Sequence, residues 1–283
     1  MTIEIKSAAQ FTIQELTDLY NQTRVDYLVP MPMNVDRLAE YIHDFDVNLS
    51  CSCVACVDGQ VLGLGMLGVR ENWAWVTRLG VLPNTRRGGA GATLMDDMLK
   101  NADEMGLEET HLEVIKNNEP AHKLFLKSGF READEYLVLR RAPHAISEPL
   151  VGSVEWLERE AALQTLEAYP HHLTWINALE SMANSSNVQG VRVWLPKGDT
   201  GWLIYRRQKF FFSHLVMHTE HGDPVEVGKQ LLSHLYSQFP RMDTYAENIH
   251  SQDPHVPAFY AMSFFENFSR IEMRRPARSV SPA

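Results

Sequence analysis

Apolar and polar residues alternate through IEIKS, which opens the chain as a short strand. Thr12 then precedes a helical pattern from Ile13 to Tyr20, and Glu15, three residues on, completes the spacing of a capping box. YLVPMPMN is a proline-broken loop, after which Asn34 caps a second helix through Tyr41. CSCVACV and VLGLGMLGV read as two strands joined at Asp58-Gly59, a hairpin turn signal, and AWVTRLGVL as a third. Leu94, Met95, Met98, Leu99 and Ala102 recur at helical spacing until Gly106 ends the helix. HLEVI is a strand. Pro120 suits the first turn of a further helix that Gly129 stops, and FREADEYLVLRR supplies two closing strands. The order β-α-α-β-β-β-α-β-α-β-β predicts a mixed sheet with helices packed on it, an α+β fold.

RRAPHAISEP lacks any period and is rich in proline and polar residues, the pattern of a linker. Beyond it the element order partly repeats. WLEREAALQTLEA and HLTWINALESMA read as helices. VRVWLP, GWLIYRR and KFFFSHLVMHT are strands, with KGDTG turning between the first two. PVEVGKQLLSHLYSQF is a helix, DTYAEN a strand, VPAFYAMSFFEN a helix, RIEMRR a last strand and SVSPA a frayed tail. The halves share an order and little residue identity, so the chain reads as a divergent tandem duplication: a domain over 1–141, a linker over 142–149 and a second domain over 150–278.

Composition narrows the function. A formal net charge of −10 over 283 residues argues against general binding to nucleic acid or anionic membranes, which need a broad positive field. There is no long apolar run and no signal-peptide core in MTIEIKSAAQ, so a cytoplasmic protein is expected, as a monomer or homodimer. Cys51, Cys53 and Cys56 are strand neighbours that cannot converge on a metal or join in an ordinary disulfide, and read as small buried residues. His214, His218 and His221 lack the carboxylate spacing of a zinc motif, so no metal is expected.

Against this acidic background, LPNTRRGGAGATLMDDML sets two arginines beside three glycines at the start of a helix. A strand end, a turn of exposed amides and a helix N-terminus form an anion site, and glycines admit the ligand close to the backbone. Val81-Leu82-Pro83, Arg86, Gly89 and Gly91 fit V-x-P-x-x-[RQ]-x-x-G-x-G, which resembles the acyl-CoA pyrophosphate motif of the GNAT superfamily of N-acyltransferases. LEVIKNNEPAHKLFLKSGF resembles that family's later segment at Asn118, Ala121, Leu124, Phe125, Gly129 and Phe130.

The resemblance covers the first half of the chain. It implies two GNAT-like domains, each a mixed, mostly antiparallel sheet with a splayed pair of parallel strands and flanking helices. It also implies acetyl-CoA as co-substrate and an amine acceptor as partner. Leu79, Gly80 and Val81 would run beside the pantetheine. Arg86, Arg87, Gly88, Gly89, Ala90, Gly91 and Ala92 would cradle the pyrophosphate, and Asn118, Ala121, Leu124 and Phe125 would line the arm and the thioester. Many members carry at the position of Phe125 a tyrosine that protonates the leaving thiolate; phenylalanine has no proton to give. The candidates for acid-base work are Glu113, Tyr136 and Asp26, each with an equally plain structural role. Tyr27, Trp73, Trp75 and Arg78 are candidates to line the acceptor site. The corresponding junction of the second half, HTEHGDPVEVG, carries Glu220, Asp223 and Glu226, which repel a pyrophosphate, and Pro224, which lacks an amide. That half is expected to bind no acyl-CoA. The activity implied is N-acetyl transfer; the alternative is a non-catalytic acyl-CoA sensor or interaction protein.

Overall fold

The computed structural model describes residues 2–146 and 148–277; the terminal SVSPA lies outside them. In the first half the elements are β1 (Glu4–Ser7), α1 (Ile13–Thr23), α2 (Val35–Asp44), β2 (Cys53–Val57), β3 (Gln60–Val69), β4 (Trp73–Val81), α3 (Ala90–Glu104), β5 (Glu109–Ile115), α4 (Glu119–Lys127) and β6 (Arg131–Arg141). Thr12 and Glu15 close the capping box of α1, the Glu15 carboxylate accepting from the Thr12 amide at 2.7 Å. Leu16, Leu19, Tyr20 and Thr23 form the buried stripe of α1 at three- and four-residue spacing. Asp58 and Gly59 both take positive φ (49° and 79°) between Val57 and Gln60, the two-residue turn whose twist matches its strands.

The second half contains β7 (Ser153–Leu157), α5 (Arg159–Glu167), α6 (Leu179–Asn184), β8 (Val188–Trp194), β9 (Thr200–Arg207), β10 (Phe211–His221), α7 (Pro224–Gln238), β11 (Asp243–His250), α8 (Val256–Ala261) and β12 (Phe265–Pro276). SVEWL, the edge strand β7, precedes α5, so the helix expected from Trp156 starts at Arg159 instead. HLTWINALESMA holds a single turn at Trp175–Asn177 and then α6, broken at Ala178. Tertiary anchors override the helical pattern there: Trp175 is buried, and the Asn177 side chain donates to the Glu247 carbonyl at 2.9 Å.

The chain divides into two compact units, Met1–Asp134 with Ile271–Ala283, and Glu135–Arg270. FREADEYLVLRR forms the single strand β6, not two strands, and only its first residues belong to the first unit. The strand missing from that unit comes from the far end of the chain, so its strand order is β1-β2-β3-β4-β5-β12-β6. Met273 of β12 is fully buried in the first unit's core with Leu112, Val114 and Phe130. Arg275 reaches Asp103 of α3 through two hydrogen bonds of 3.0 and 2.8 Å, and the Ala277 amide donates to Glu108 at 2.8 Å. In the second unit the order is β12-β6-β11-β10-β9-β8-β7, and the remainder of β6 pairs antiparallel with β11. Each unit is a mixed sheet, with the parallel pair β4/β5 in the first and β10/β11 in the second. No helix among the described residues is long and apolar enough to cross a membrane.

Candidate functional site

Parallel pairing of β4 with β5 runs only from Trp73↔Glu109 to Trp75↔His111, although β4 continues to Val81 and β5 to Ile115. The cause of the splay lies on the other edge of β4. Thr77 pairs with Met66 and Gly80 with Leu64, so Arg78 and Leu79 together oppose Gly65. This is a β-bulge, with Arg78 in the left-handed region at φ 52°, and a bulge bends its strand. Leu82 donates its amide to Leu62 of β3 at 2.8 Å; by alternation the polar groups of Leu79 and Val81 point the opposite way, into the gap. Gly80 has a different duty. A Cβ there would collide with Thr23, so Gly80 admits the end of α1 against β4.

The gap ends at the N-terminus of α3. Leu94, Met95, Met98, Leu99 and Ala102 bury one face of this helix and fix its axis. Gly89, at φ 91°, is its N-cap, with no side-chain cap and no acidic residue in the first turn. The amides of Ala90, Gly91 and Ala92 have no carbonyl four residues back within the helix, so they and the positive end of the helix dipole are available to an anion. Gly91 packs where β4, α3 and α4 meet, 3.6 Å from Leu124 and Val81 measured from an added Cβ. Arg87 and Gly88 are exposed on the turn. Arg86 is not directed at an anion in this structure: its guanidinium forms a two-pronged pair with Asp26, both contacts 2.7 Å, and also donates to the carbonyls of Val81 and Thr23. The hydrogen bonds from Arg86 hold the Asp26 carboxyl below its ordinary value, so Asp26 stands as a committed ion-pair partner.

On the other side of the gap, Asn118 caps α4 through its Oδ1 and donates Nδ2 to the Tyr27 hydroxyl at 3.4 Å. Ala121 and Leu124 are partly buried beside it. Phe125 is buried, its ring 6.2 Å from that of Phe130.

A polar-aromatic cluster gathers where the strands part. The Trp75 indole donates to Glu113 at 2.7 Å, and the Tyr41 hydroxyl meets Thr77 at 2.6 Å. The Arg78 guanidinium lies 4.1 Å from the Tyr41 ring centre and 5.5 Å from that of Tyr20. Burial pushes the Tyr41 hydroxyl up to about 12, with the charges of Arg78 and Glu113 acting on it in opposite senses. Tyr41, Thr77 and Phe45, whose ring lies 6.0 Å from that of Trp75, are absent from the sequence-predicted set. The available signal was the four-residue spacing of Tyr41 and Phe45 at the end of α2. Trp73 lies two residues earlier, within the paired stretch, edge-on to His111 at 4.7 Å. Tyr136 falls in the second unit, its ring 5.5 Å from that of His250.

The second unit repeats the splay. β10 pairs with β11 only from Phe211↔Asp243 to Ser213↔Tyr245, and a bulge follows with His214 at φ 53°. Its helix end differs in kind. The Asp223 carboxylate accepts from the amides of Val225 and Glu226 at 2.9 and 3.0 Å, and Pro224 has no amide to offer. Thr219 of β10 meets His255, the cap of α8, at 2.8 Å, and Asp253 holds the other ring nitrogen at 2.8 Å. These bonds join the two walls that stay apart in the first unit. His214 meets Asn177 at 3.2 Å, and His218 lies among the rings of Tyr169 and Trp202.

Residues 13–130 match the family model described as the Acetyltransferase (GNAT) family. Over the whole chain the fold is similar to a GCN5-related N-acetyltransferase from Sphaerobacter thermophilus (TM-score 0.71, 11% identity, 99% of this chain and 98% of that one). It is also similar to a tandem GNAT protein from the clavulanic acid biosynthesis pathway (TM-score 0.68, 14% identity, 100% of both chains). A GCN5-related N-acetyltransferase from Anabaena variabilis is a third (TM-score 0.60, 14% identity, 97% of this chain and 72% of that one). No curated protein matches the chain in sequence. The bulged strand, the uncapped turn and the cap of α4 all fall inside the matched residues, so residues 13–130 form a domain of the GNAT family, in a chain whose fold is similar to that of a tandem GNAT protein.

Proposed function

We propose that the first unit binds acetyl-CoA and transfers its acetyl group to a primary amine of a small molecule, peptide or protein, while the second unit binds no acyl-CoA. The observation that carries this reading is the contrast between two like gaps. One ends on an uncapped glycine turn, and the other ends on a carboxylate cap and is laced by Thr219 and His255. In the proposed reaction a neutral amine attacks the thioester carbonyl, forming C–N and breaking C–S. The amine's proton passes to a base, and the sulfur departs with the bonding pair. The polar groups of Leu79 and Val81 supply the edge along which the pantetheine lies, and an amide near Val81 meets the developing oxyanion. Glu113, positioned by Trp75, is the group in the gap wall that orients or deprotonates the amine. Phe125 donates no proton, so the sulfur leaves as thiolate, which a thiol pKa of ~8.5 permits. Cytoplasmic location and a monomeric or homodimeric state belong to the same proposal.

Phe125 favours a second reading, a non-catalytic acyl-CoA sensor. Calorimetry with CoA, followed by CoA release from acetyl-CoA with a panel of amines, separates the two. Binding with turnover is the expected result, binding without turnover for any amine moves the assignment to the sensor, and no binding removes both.

A further inference from the structure

The segment from Arg24 to Tyr27, between α1 and α2, makes four contacts with groups of the gap. Arg24 Nη2 donates to the Leu79 carbonyl at 3.0 Å. Asp26 takes both prongs of Arg86 at 2.7 Å. The Tyr27 hydroxyl oxygen accepts from Asn118 Nδ2 at 3.4 Å. The Arg24 guanidinium also stacks on the Tyr27 ring at 4.1 Å, which ties the segment's own residues together. Each partner is a group that the proposed acyl-CoA site needs: the strand edge at Leu79, the cation at Arg86 and the amide at Asn118. The segment imitates the ligand in chemical order, with a donor on the strand edge, an anion on the arginine and a hydroxyl on the cap of α4. Its outer residues are solvent-facing, Val25 at 76% and Leu28 at 61% exposure, so hydrophobic burial does little to hold it. The bonds that do hold it are exposed or half-buried, the class that contributes least to stability and opens most readily.

We propose that residues 24–27 form a strap over the cofactor groove, which acyl-CoA displaces on binding. The inference rests on the acyl-CoA reading of the first unit. Its consequence is that groove occupancy by the strap lowers the apparent affinity for acyl-CoA in proportion to the closed fraction. It also frees Asp26 from Arg86 as the ligand enters, beside the gap where the acceptor must arrive.

The test compares CoA affinity by calorimetry in wild type, Asp26→Asn, Tyr27→Phe and Arg24→Gln, each checked for an unchanged melting temperature. Arg24→Gln is the decisive variant, because the two explanations differ in sign. If Arg24 acts only as a nearby positive charge, its loss weakens binding of the anionic ligand. If it holds the strap on Leu79, its loss tightens binding, by about two- to fivefold, the range expected for exposed polar contacts. Trypsin supplies a second readout. CoA is expected to speed cleavage after Arg24 while slowing cleavage after Arg86 and Arg87. Protection at all three bonds, or weaker or equal binding in Arg24→Gln, overturns the strap alone. Absence of CoA binding in every protein, wild type included, overturns the acyl-CoA reading and the strap with it.

Discussion

Arg87 sits at φ 70° on the glycine turn, a left-handed conformation that costs a non-glycine residue about 1 kcal/mol or more. Among the described residues it makes no hydrogen bond or ion pair that would repay this cost. On the acyl-CoA reading, its charge beside the open amides serves the anionic ligand. Replacing Arg87 with glycine therefore separates fold from function: stability is expected unchanged or raised by up to about 1 kcal/mol in urea unfolding, while CoA affinity falls about tenfold, and less so at high salt. Phe125 calls for the opposite experiment. Its ring is buried beside Phe130, so a hydroxyl added there must reach the gap or lose its hydrogen bonds. On the proposed acetyltransferase reading, transfer by Phe125→Tyr is expected to stay within roughly tenfold of wild type, about 1.4 kcal/mol in barrier, the result when attack or product release rather than thiolate departure limits turnover. A rate gain of a hundredfold would show instead that thiolate departure limits the natural protein.

α3 and α7 follow equivalent strands and carry similar apolar stripes, yet their first turns are opposites. α3 begins on a glycine that leaves its amides open, whereas α7 begins on a carboxylate that consumes two. The cap also says what Asp223 is for. Asp223→Ala should lower stability by about 1 kcal/mol, read from thermal unfolding, and leave CoA affinity unchanged within twofold. A gain of CoA binding at this end would contradict the division of labour between the helices. This contrast is legible in the chain because a helix start is set by a handful of contiguous residues: RRGGAGA and HGDPVEVG differ in charge and in amides before any fold is known. The bulge that opens the gap is not legible in that way. Nothing in AWVTRLGVL marks Arg78 as a residue with positive φ; the extra residue is defined only by the register of β3 against β4.

The first unit does not close on contiguous sequence. Ile271–Pro276 completes the sheet of the first unit, more than a hundred residues beyond β6. A protein ending at Arg270 should therefore lose the first unit's stability and its CoA binding, although every candidate site residue is retained. Arg275→Ala is the gentler form of the same experiment. The side chain is nearly buried against Asp103, and breaking such a pair costs about 3 kcal/mol, a fall of roughly 6–12 °C in Tm for a chain of this size. Little change in the truncated protein would mean that the first unit holds without the late strand, and little change in Arg275→Ala that the pair with Asp103 contributes little. The boundaries expected at 141 and 150 remain a proposal about where one repeat of the fold gives way to the next.

The sequence alone determined what depends on near neighbours: the caps at Thr12 and Asn34, the turn at Asp58-Gly59, the uncapped start of α3 and the family of the first half. Each rests on residues within one turn or one motif, where spacing is itself the physics. Tertiary structure alone decided which distant groups meet. Arg86 pairs with Asp26 across 60 positions, Trp75 with Glu113 across 38 and Tyr41 with Thr77 across 36. Those pairings give Arg86 a partner in Asp26 and add a tyrosine to the gap that no motif marked. The closing strand of the first unit was hidden for the same reason. A strand's alternation says which face is buried but not which sheet it joins, because that choice is made by the open edge waiting for it.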